Sequence, residues 1–260
     1  MRRASIRQYA ALSRRAVLNT LRKPTSFVPA LTFPLLFLAL SSAAFDATTR
    51  LPGFPRVDSF LQFVVATTII QGSLFGSVAA GSDMATDIEG GFFDRLVASP
   101  VARTSILVGR VMGSAALAFT QAWLYFAVTS LFGLEVEGGL VGMLMVAVVA
   151  AVLGSGIGSV SVAFALRTGS AEAVQGSFPM LFAGLFLSSA FFPRSLMDGW
   201  FRDVATVNPL SHLIEGLRAQ VISGIELGEF LTALAVAVSI FVVGVAAAAA
   251  ALRGRLAAHA

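Results

Sequence analysis

The sequence predicts an all-α integral membrane protein with six transmembrane helices, and three observations predict it. Of 260 residues, 57% are apolar and only 12% charged, against about 45–50% and about 25% in soluble domains. The mean hydropathy is +0.84. Six apolar stretches, residues 27–45, 60–81, 106–132, 140–166, 174–192 and 230–252, have the length of a helical span, which takes about 20 residues to cross about 30 Å of hydrocarbon. This composition excludes a soluble enzyme, a disordered chain and a collagen-like fibre. The chain has no cysteine, which excludes disulfides, thiolate metal sites and cysteine nucleophiles. Its two histidines, His212 and His259, are too few for a histidine-rich metal centre.

Residues 1–24 open the chain. On a helical wheel Ile6, Tyr9, Ala10, Ser13, Val17 and Leu21 share one face, and Arg3, Arg7, Arg14, Arg15 and Arg22 the neighbouring one. This reads as an amphipathic interfacial helix whose arginines reach lipid phosphates. A plain basic flank that sets topology fits equally well. Ser13-Arg14-Arg15-Ala16-Val17-Leu18 resembles a twin-arginine signal. The long basic region and the full-length apolar run behind it favour a retained first span over a cleaved leader. Pro24 and Pro29 mark the turn into the bilayer.

The spans contain no acidic residue, and Arg110 is the one base inside them, within reach of a helix end. Positive charge fixes the expected orientation. Arg2, Arg3, Arg7, Arg14, Arg15, Arg22, Lys23, Arg95, Arg103, Arg110, Arg167, Arg253 and Arg255 fall on one side. Arg50, Arg56, Arg194, Arg202 and Arg218 fall on the other. Both termini are therefore expected in the cytoplasm of a multi-pass cell-membrane protein. The net charge of +4 is concentrated at the start, which suits a topology signal and not a nucleic-acid site. One domain, residues 1–260, is expected, with spans one to five in 27–192 and the sixth in 230–252.

Two connectors carry information. Residues 46–59 read as a structured turn, and residues 135–139 as a hairpin tip. In residues 83–103, Ile88, Phe92 and Leu96 recur at helical spacing, with Phe93 and Val97 alongside. This predicts a short cytoplasmic amphipathic helix, ended by Ser99 and Pro100. Asp83, Asp87, Glu89 and Asp94 make it acidic, which suits a groove on a partner protein better than an anionic leaflet. In residues 193–228, Leu210, Leu213, Ile214 and Leu217 keep helical spacing and predict external re-entrant helices before the last span. Glu215 and Arg218 are spaced as i, i+3 partners and read as a structural ion pair. Ser211 and His212 do not read as a catalytic pair.

At these two connectors the chain resembles a family. Glu89-Gly90-Gly91 through Phe93-Asp94-Arg95-Leu96, then Ser99-Pro100 and Gly109-Arg110, look like the coupling-loop signature of ABC-2-type export permeases. Asn208-Pro209-Leu210 with Glu215-Gly216-Leu217-Arg218 looks like that family's motif before the last span. The nearest type is the daunorubicin/doxorubicin-resistance membrane subunit. Phe92-Phe93 departs from the small residue and leucine that many members carry there.

The resemblance implies a permease subunit that exports an amphipathic or lipid-like substrate and pairs with a second permease subunit, a copy or a paralogue. Two cytoplasmic ABC ATPase subunits, which hold the ATP and Mg, dock on a coupling helix that includes Asp87, Glu89, Gly90, Gly91, Phe92, Phe93, Asp94, Arg95, Leu96, Ser99 and Pro100. A P-loop needs a lysine in G-x-x-x-x-G-K-[ST]. The only lysine here is Lys23, followed by Pro24, so ATP must be hydrolysed on another chain and no cofactor is expected on this one. Facing residues of the second and fifth spans give a candidate substrate path: Phe63, Thr67, Gln71, Phe75, Gln175, Phe178, Phe182 and Phe186. Ordinary packing or lipid contact is the plain alternative for each phenylalanine. Gly72-x-x-x-Gly76 and Gly154-x-x-x-Gly158 permit close helix contact. Two other functions remain: an ATP-independent secondary transporter or channel, disfavoured by acid-free spans, and a membrane-embedded enzyme built on Ser211, His212 and Glu215.

Overall fold

The structure is a computed structural model that describes residues 24–99 and 103–257, together with Arg14, Val17 and Leu18. Arg14, Val17 and Leu18 are helical; the rest of the expected interfacial helix up to Lys23, like Pro100, lies outside the described residues. The described residues form helices and turns with no strand. Long helices alternate in direction: α1 (Pro24–Phe45), α2 (Phe60–Glu89), then a short α3 (Phe92–Ala98), α4 (Arg103–Ser130) and α5 (Gly139–Thr168). Two short helices follow, α6 (Ala171–Gly176) and α7 (Phe178–Phe186), then the pair α8 (Gly199–Val207) and α9 (Pro209–Ile222), and last α10 (Leu227–Ala257).

Among the described residues, five helices are long and apolar enough to cross a membrane. The expected fifth span is not one continuous helix. It is broken between α6 and α7 at Gly176-Ser177, and α7 has Pro179 in its first turn. Proline cannot donate the bond that would continue helix from Gln175. The stretch expected to hold a helix pair before the last span forms α8 and α9.

α2 is the most buried of the spanning helices, while α10 and α1 keep most of their surface outside. α5 packs on α2, α4 and α10, and α2 also carries α1, α4, α6 and α9. Both Gly-x-x-x-Gly motifs are used inside the subunit. Gly72 and Gly76 lie against Tyr125 and Leu117, Gly154 and Gly158 against Ala118 and Ser114. All four partners belong to α4.

α1 keeps its helix through Pro29 and Pro34. Pro34 has no N–H for the Ala30 carbonyl, and α4 supplies the substitute. Tyr125 OH donates to Ala30 O at 2.7 Å and Gln121 Nε2 at 3.4 Å. The connector at 46–59 is structured as expected: Ser59 Oγ caps α2 by accepting from Gln62 N, and Asp46 Oδ1 accepts from Phe60 N. The tip at 135–139 docks on the end of α9, where Glu137 N and Gly138 N donate to Val221 O and Gln220 O.

Candidate functional site

At one end of the bundle α2 turns sharply into α3. The sequence pattern placed Ile88, Phe92 and Leu96 on one short helix; the structure corrects this. Ile88 lies on the last turn of α2, which runs on to Glu89, and Gly90-Gly91 breaks the chain. Gly91 has φ 64°, a left-handed conformation that glycine adopts without steric cost. α3 therefore leaves α2 at an elbow. Phe93 is its anchor, 3% exposed, in a core with Met84, Ala85, Leu166, Val174 and Leu252, against which Leu96 and Val97 also pack. Phe92 is half-buried, while Asp94 and Arg95 are exposed. The outward face is thus Phe92, Asp94 and Arg95, and Leu96 belongs to the inward one. Ser99 closes α3 by donating from Oγ to Leu96 O at 2.7 Å.

The acids of this segment are mostly engaged within the chain. Arg110 on α4 pairs with Asp87 and lies 3.8 Å from the Asp83 carboxylate; its Nη2 also donates to Asp83 O at 3.3 Å. Arg110 thus joins α4 to the end of α2 in place of the expected reach toward the membrane edge. Glu89 Oε1 accepts from the backbone N of Ala171 at 2.9 Å, the start of α6. Arg255 donates to Leu166 O at 2.9 Å, closing the end of α5, and lies 5.8 Å from the Phe93 ring. Of the four acids expected to meet a partner, Asp94 is the exposed one without such an internal tie among the described residues.

The candidate path residues divide into two groups. Phe75, Phe178, Phe182 and Phe186 come together: Phe75 is 4.6 Å from Phe178 and 6.1 Å from Phe182 between ring centroids. The rings of α7 follow one another at 5.3 and 5.4 Å. The sequence reading missed three members of this cluster. Phe33 of α1 is 5.1 Å from Phe75 and 6.0 Å from Phe182, and Phe37 is 5.2 Å from Phe191. Phe33 and Phe37 carry the same i, i+4 signal as Phe178 and Phe182. The cluster is open at its rim, with Phe33 43% and Phe186 47% exposed.

Phe63, Thr67 and Gln71 are elsewhere, fully buried in the subunit's own core. Thr67 Oγ1 donates to Ala190 O at 2.8 Å. The Gln71 amide is buried with neither its nitrogen nor its oxygen hydrogen-bonded among the described residues. Gln175 is exposed on α6, beyond the break.

The largest correction concerns α9. Glu215 does not pair with Arg218; it pairs with Arg194. Arg218 is 6% exposed and serves backbone instead. Its Nε donates to Phe63 O at 3.0 Å, and its Nη2 to Ser189 O at 3.0 Å and Ala190 O at 3.1 Å. The guanidinium carbon lies 3.5 Å from the Phe63 ring centroid. Asn208 donates to Gly184 O at 2.7 Å and Leu187 O at 2.9 Å while its Oδ1 accepts from Leu210 N. Ser211 Oγ accepts from Ser189 N at 3.0 Å. The non-helical stretch after α7 is therefore held almost group by group by one face of α9. Irregular backbone at membrane depth is tolerated where protein satisfies it in this way. Pro209 sits in the first turn of α9, where its missing N–H costs nothing.

Ser211, His212 and Glu215 do not converge. Ser211 bonds Ser189, a ring nitrogen of His212 lies 3.1 Å from Thr206 O, and Glu215 meets Arg194. No group of three metal-ligating side chains occurs among the described residues.

Spanning helices around an all-α core define a multi-pass membrane protein. Residues 7–222 match the ABC-2 type transporter family, and the chain belongs to that family of membrane subunits of ABC transporters. It is 25% identical over 199 residues to the daunorubicin resistance ABC transporter permease of Streptomyces coeruleorubidus, covering 76% of this chain and 69% of the relative. A protein of Porphyra purpurea named as a transport permease is 30% identical over 219 residues, 82% of this chain and 73% of the relative. A Mycobacterium tuberculosis protein named as a doxorubicin resistance ABC transporter permease is 23% identical over 197 residues, 76% and 70%.

Proposed function

We propose that this chain is the permease subunit of an ATP-driven exporter that moves an amphipathic or lipid-like molecule out of the cytoplasm or inner leaflet. The observation that carries the reading is the elbow. α3 is fixed to the bundle by Phe93 and turns Phe92, Asp94 and Arg95 outward, the arrangement of a small lever that a partner can push. Two cytoplasmic ABC ATPase subunits dock there and hold ATP and Mg. Both chain termini and the elbow lie on the cytoplasmic side, as the arginine distribution requires. A second permease subunit, a copy or a paralogue, completes the transmembrane unit. The substrate meets the phenylalanine cluster of α1, α2 and α7, whose open rim at Phe33 and Phe186 offers aromatic faces. Phe63, Thr67 and Gln71 serve the protomer's internal packing in this reading. ATP-driven closure of the partner displaces α3, tilts the spans and switches the transmembrane unit from inward or lateral opening to outward opening. The names of two relatives, one for daunorubicin and one for doxorubicin resistance, make these anthracyclines reasonable first probes, daunorubicin before doxorubicin.

The test is co-purification from native membrane followed by ATPase assay and ATP-dependent extrusion of daunorubicin, then of fluorescent lipids, from vesicles. A Phe92→Glu, Arg95→Glu variant should insert normally and lose the ATPase partner. Isolation of the chain alone, with uptake driven by a proton gradient, overturns the reading in favour of a secondary transporter.

A further inference from the structure

The broken segment from Ala171 to Ala190 runs alongside α2 in the opposite direction, and the two touch at intervals along their length. Glu89 meets Ala171 N. Val174, fully buried, presses into a notch at Gly81, where an added Cβ would stand 2.8 Å from the valine methyl. Phe75 meets Phe178 and Phe182, and Thr67 meets Ala190 O. The far end is fixed by a part-buried bond from Asn208 and by buried bonds that Ser211 accepts and Arg218 donates. At the elbow end the polar tie among the described residues is one hydrogen bond, donated by Ala171 N to the exposed carboxylate of Glu89, one residue before the Gly90-Gly91 break.

We propose that Glu89 is a positioning residue: by accepting from Ala171 N it makes the broken helix travel with α2 when α3 is displaced, so that elbow motion reaches Phe178, Phe182 and Phe186. The inference rests on the permease reading above. α2 is a continuous helix of 30 residues, about 45 Å long at 1.5 Å per residue, and transmits displacement as a rod. α6 has six residues and ends at the Gly176-Ser177 break. Without that hydrogen bond the start of α6 is held to the rod by apolar contact, Val174 in its notch and Ala171 against the same core, which is less directional than a polar tie. Arg110 fixes the same end of α2 to α4, so α2 and α4 move as a pair and the broken helix is the element that needs its own tie. The role asks for an acceptor oxygen and not for charge, so Glu89→Gln retains it and Glu89→Ala removes it.

The chain has no cysteine, so Thr86→Cys on α2 and Met180→Cys on α7, both exposed positions, give a unique spin-label pair. The distance between them is measured in the complex with its ATPase, with and without a non-hydrolysable ATP analogue. The unmodified Glu89 background should hold one narrow distance in both states. Glu89→Ala should broaden or shift it on analogue binding, and Glu89→Gln should match Glu89. Hydrogen exchange of the purified chain alone should show the Ala171 amide exchanging about fivefold faster in Glu89→Ala, the loss of one modest hydrogen bond. Unchanged distances or unchanged exchange in Glu89→Ala overturn the proposal. So does a Glu89→Gln variant as impaired as Glu89→Ala, which would make the charge the operative feature. If the unmodified chain binds no ATPase, the permease reading fails and this transmission role with it, and the exchange measurement alone still reports whether the tie exists.

Discussion

Replacing Arg218 by methionine should be among the costliest single changes in this protein, and the same structure makes Glu215→Gln cheap. Arg218→Met keeps an apolar stem but removes donors to Phe63 O, Ser189 O and Ala190 O, at 3.0, 3.0 and 3.1 Å. Interhelical hydrogen bonds in membranes average about 0.6 kcal/mol, and bonds from charged groups in soluble proteins reach about 1.5–3. Contact with the Phe63 face adds about 1 kcal/mol. Two effects offset the loss: a buried charge disappears, and Ala190 O keeps its bond from Thr67. A net cost of about 2–4 kcal/mol remains. Glu215 and Arg194 pair with side chains 24% and 29% exposed, so Glu215→Gln should cost less than about 1 kcal/mol. Unfolding of the purified chain by SDS titration in mixed micelles compares the two directly. Equal losses would mean that Glu215 and Arg218 act as the pair their spacing suggests. A neutral Arg218→Met would show that Asn208, Ser211 and Thr67 hold the turn after α7 without Arg218.

The elbow should separate its two phenylalanines. Phe93→Ala empties a buried site and should destabilise the chain by about 3–5 kcal/mol, whereas half-buried Phe92→Ala should cost less than about 1 kcal/mol; SDS titration ranks them, and equal effects would refute the assignment of Phe93 as anchor. Tyr125→Phe should cost about 1–2 kcal/mol, because Ala30 O then keeps only the longer bond from Gln121. That loss should shrink in a Pro34→Ala background, where a restored N–H reaches the same carbonyl; a double-mutant cycle measures it. Phe182→Ala, removing a ring in contact with Phe33, Phe75, Phe178 and Phe186, should change daunorubicin extrusion more than ATPase docking, read by the vesicle assay beside co-purification.

Spanning helices are legible because length and apolarity are local properties, and α9 is legible because Leu210, Leu213, Ile214 and Leu217 keep one face. Proline is not read so simply. Pro34 sits inside continuous α1, while Pro179 stands beside a break. The difference is tertiary: the Ala30 carbonyl that Pro34 leaves unpaired meets Tyr125, 95 positions further along, whereas the Asn208 and Arg218 donors serve carbonyls just beyond α7. Charge pairing failed for a related reason. The spacing of Glu215 and Arg218 fits a helix face, but Arg218 follows Leu210 and Ile214 onto the buried side, where backbone carbonyls compete for it. Its i+4 step from Ile214 was the available signal.

The acids of residues 83–94 show how far a local pattern can be trusted. Four carboxylates beside an apolar stripe look like a docking face, and a folded core reassigns three of them. Asp83 and Asp87 neutralise Arg110, a base inside an apolar helix that would otherwise stand unpaired near hydrocarbon. Glu89 ties α6. What remains outward is small: Phe92, Asp94 and Arg95 on a helix of seven residues. A patch of that size is too little for a stable interface of about 800 Å² per partner. If the elbow is the docking point, the partner must also touch other surface at the same end, where Arg167, Glu172 and Arg253 are exposed. Charge reversal at Arg167 or Arg253 should therefore weaken co-purification of the ATPase even with the elbow intact. Retention of full affinity would mean that the elbow is gripped inside a deep cleft of the partner, the one geometry in which so few residues suffice.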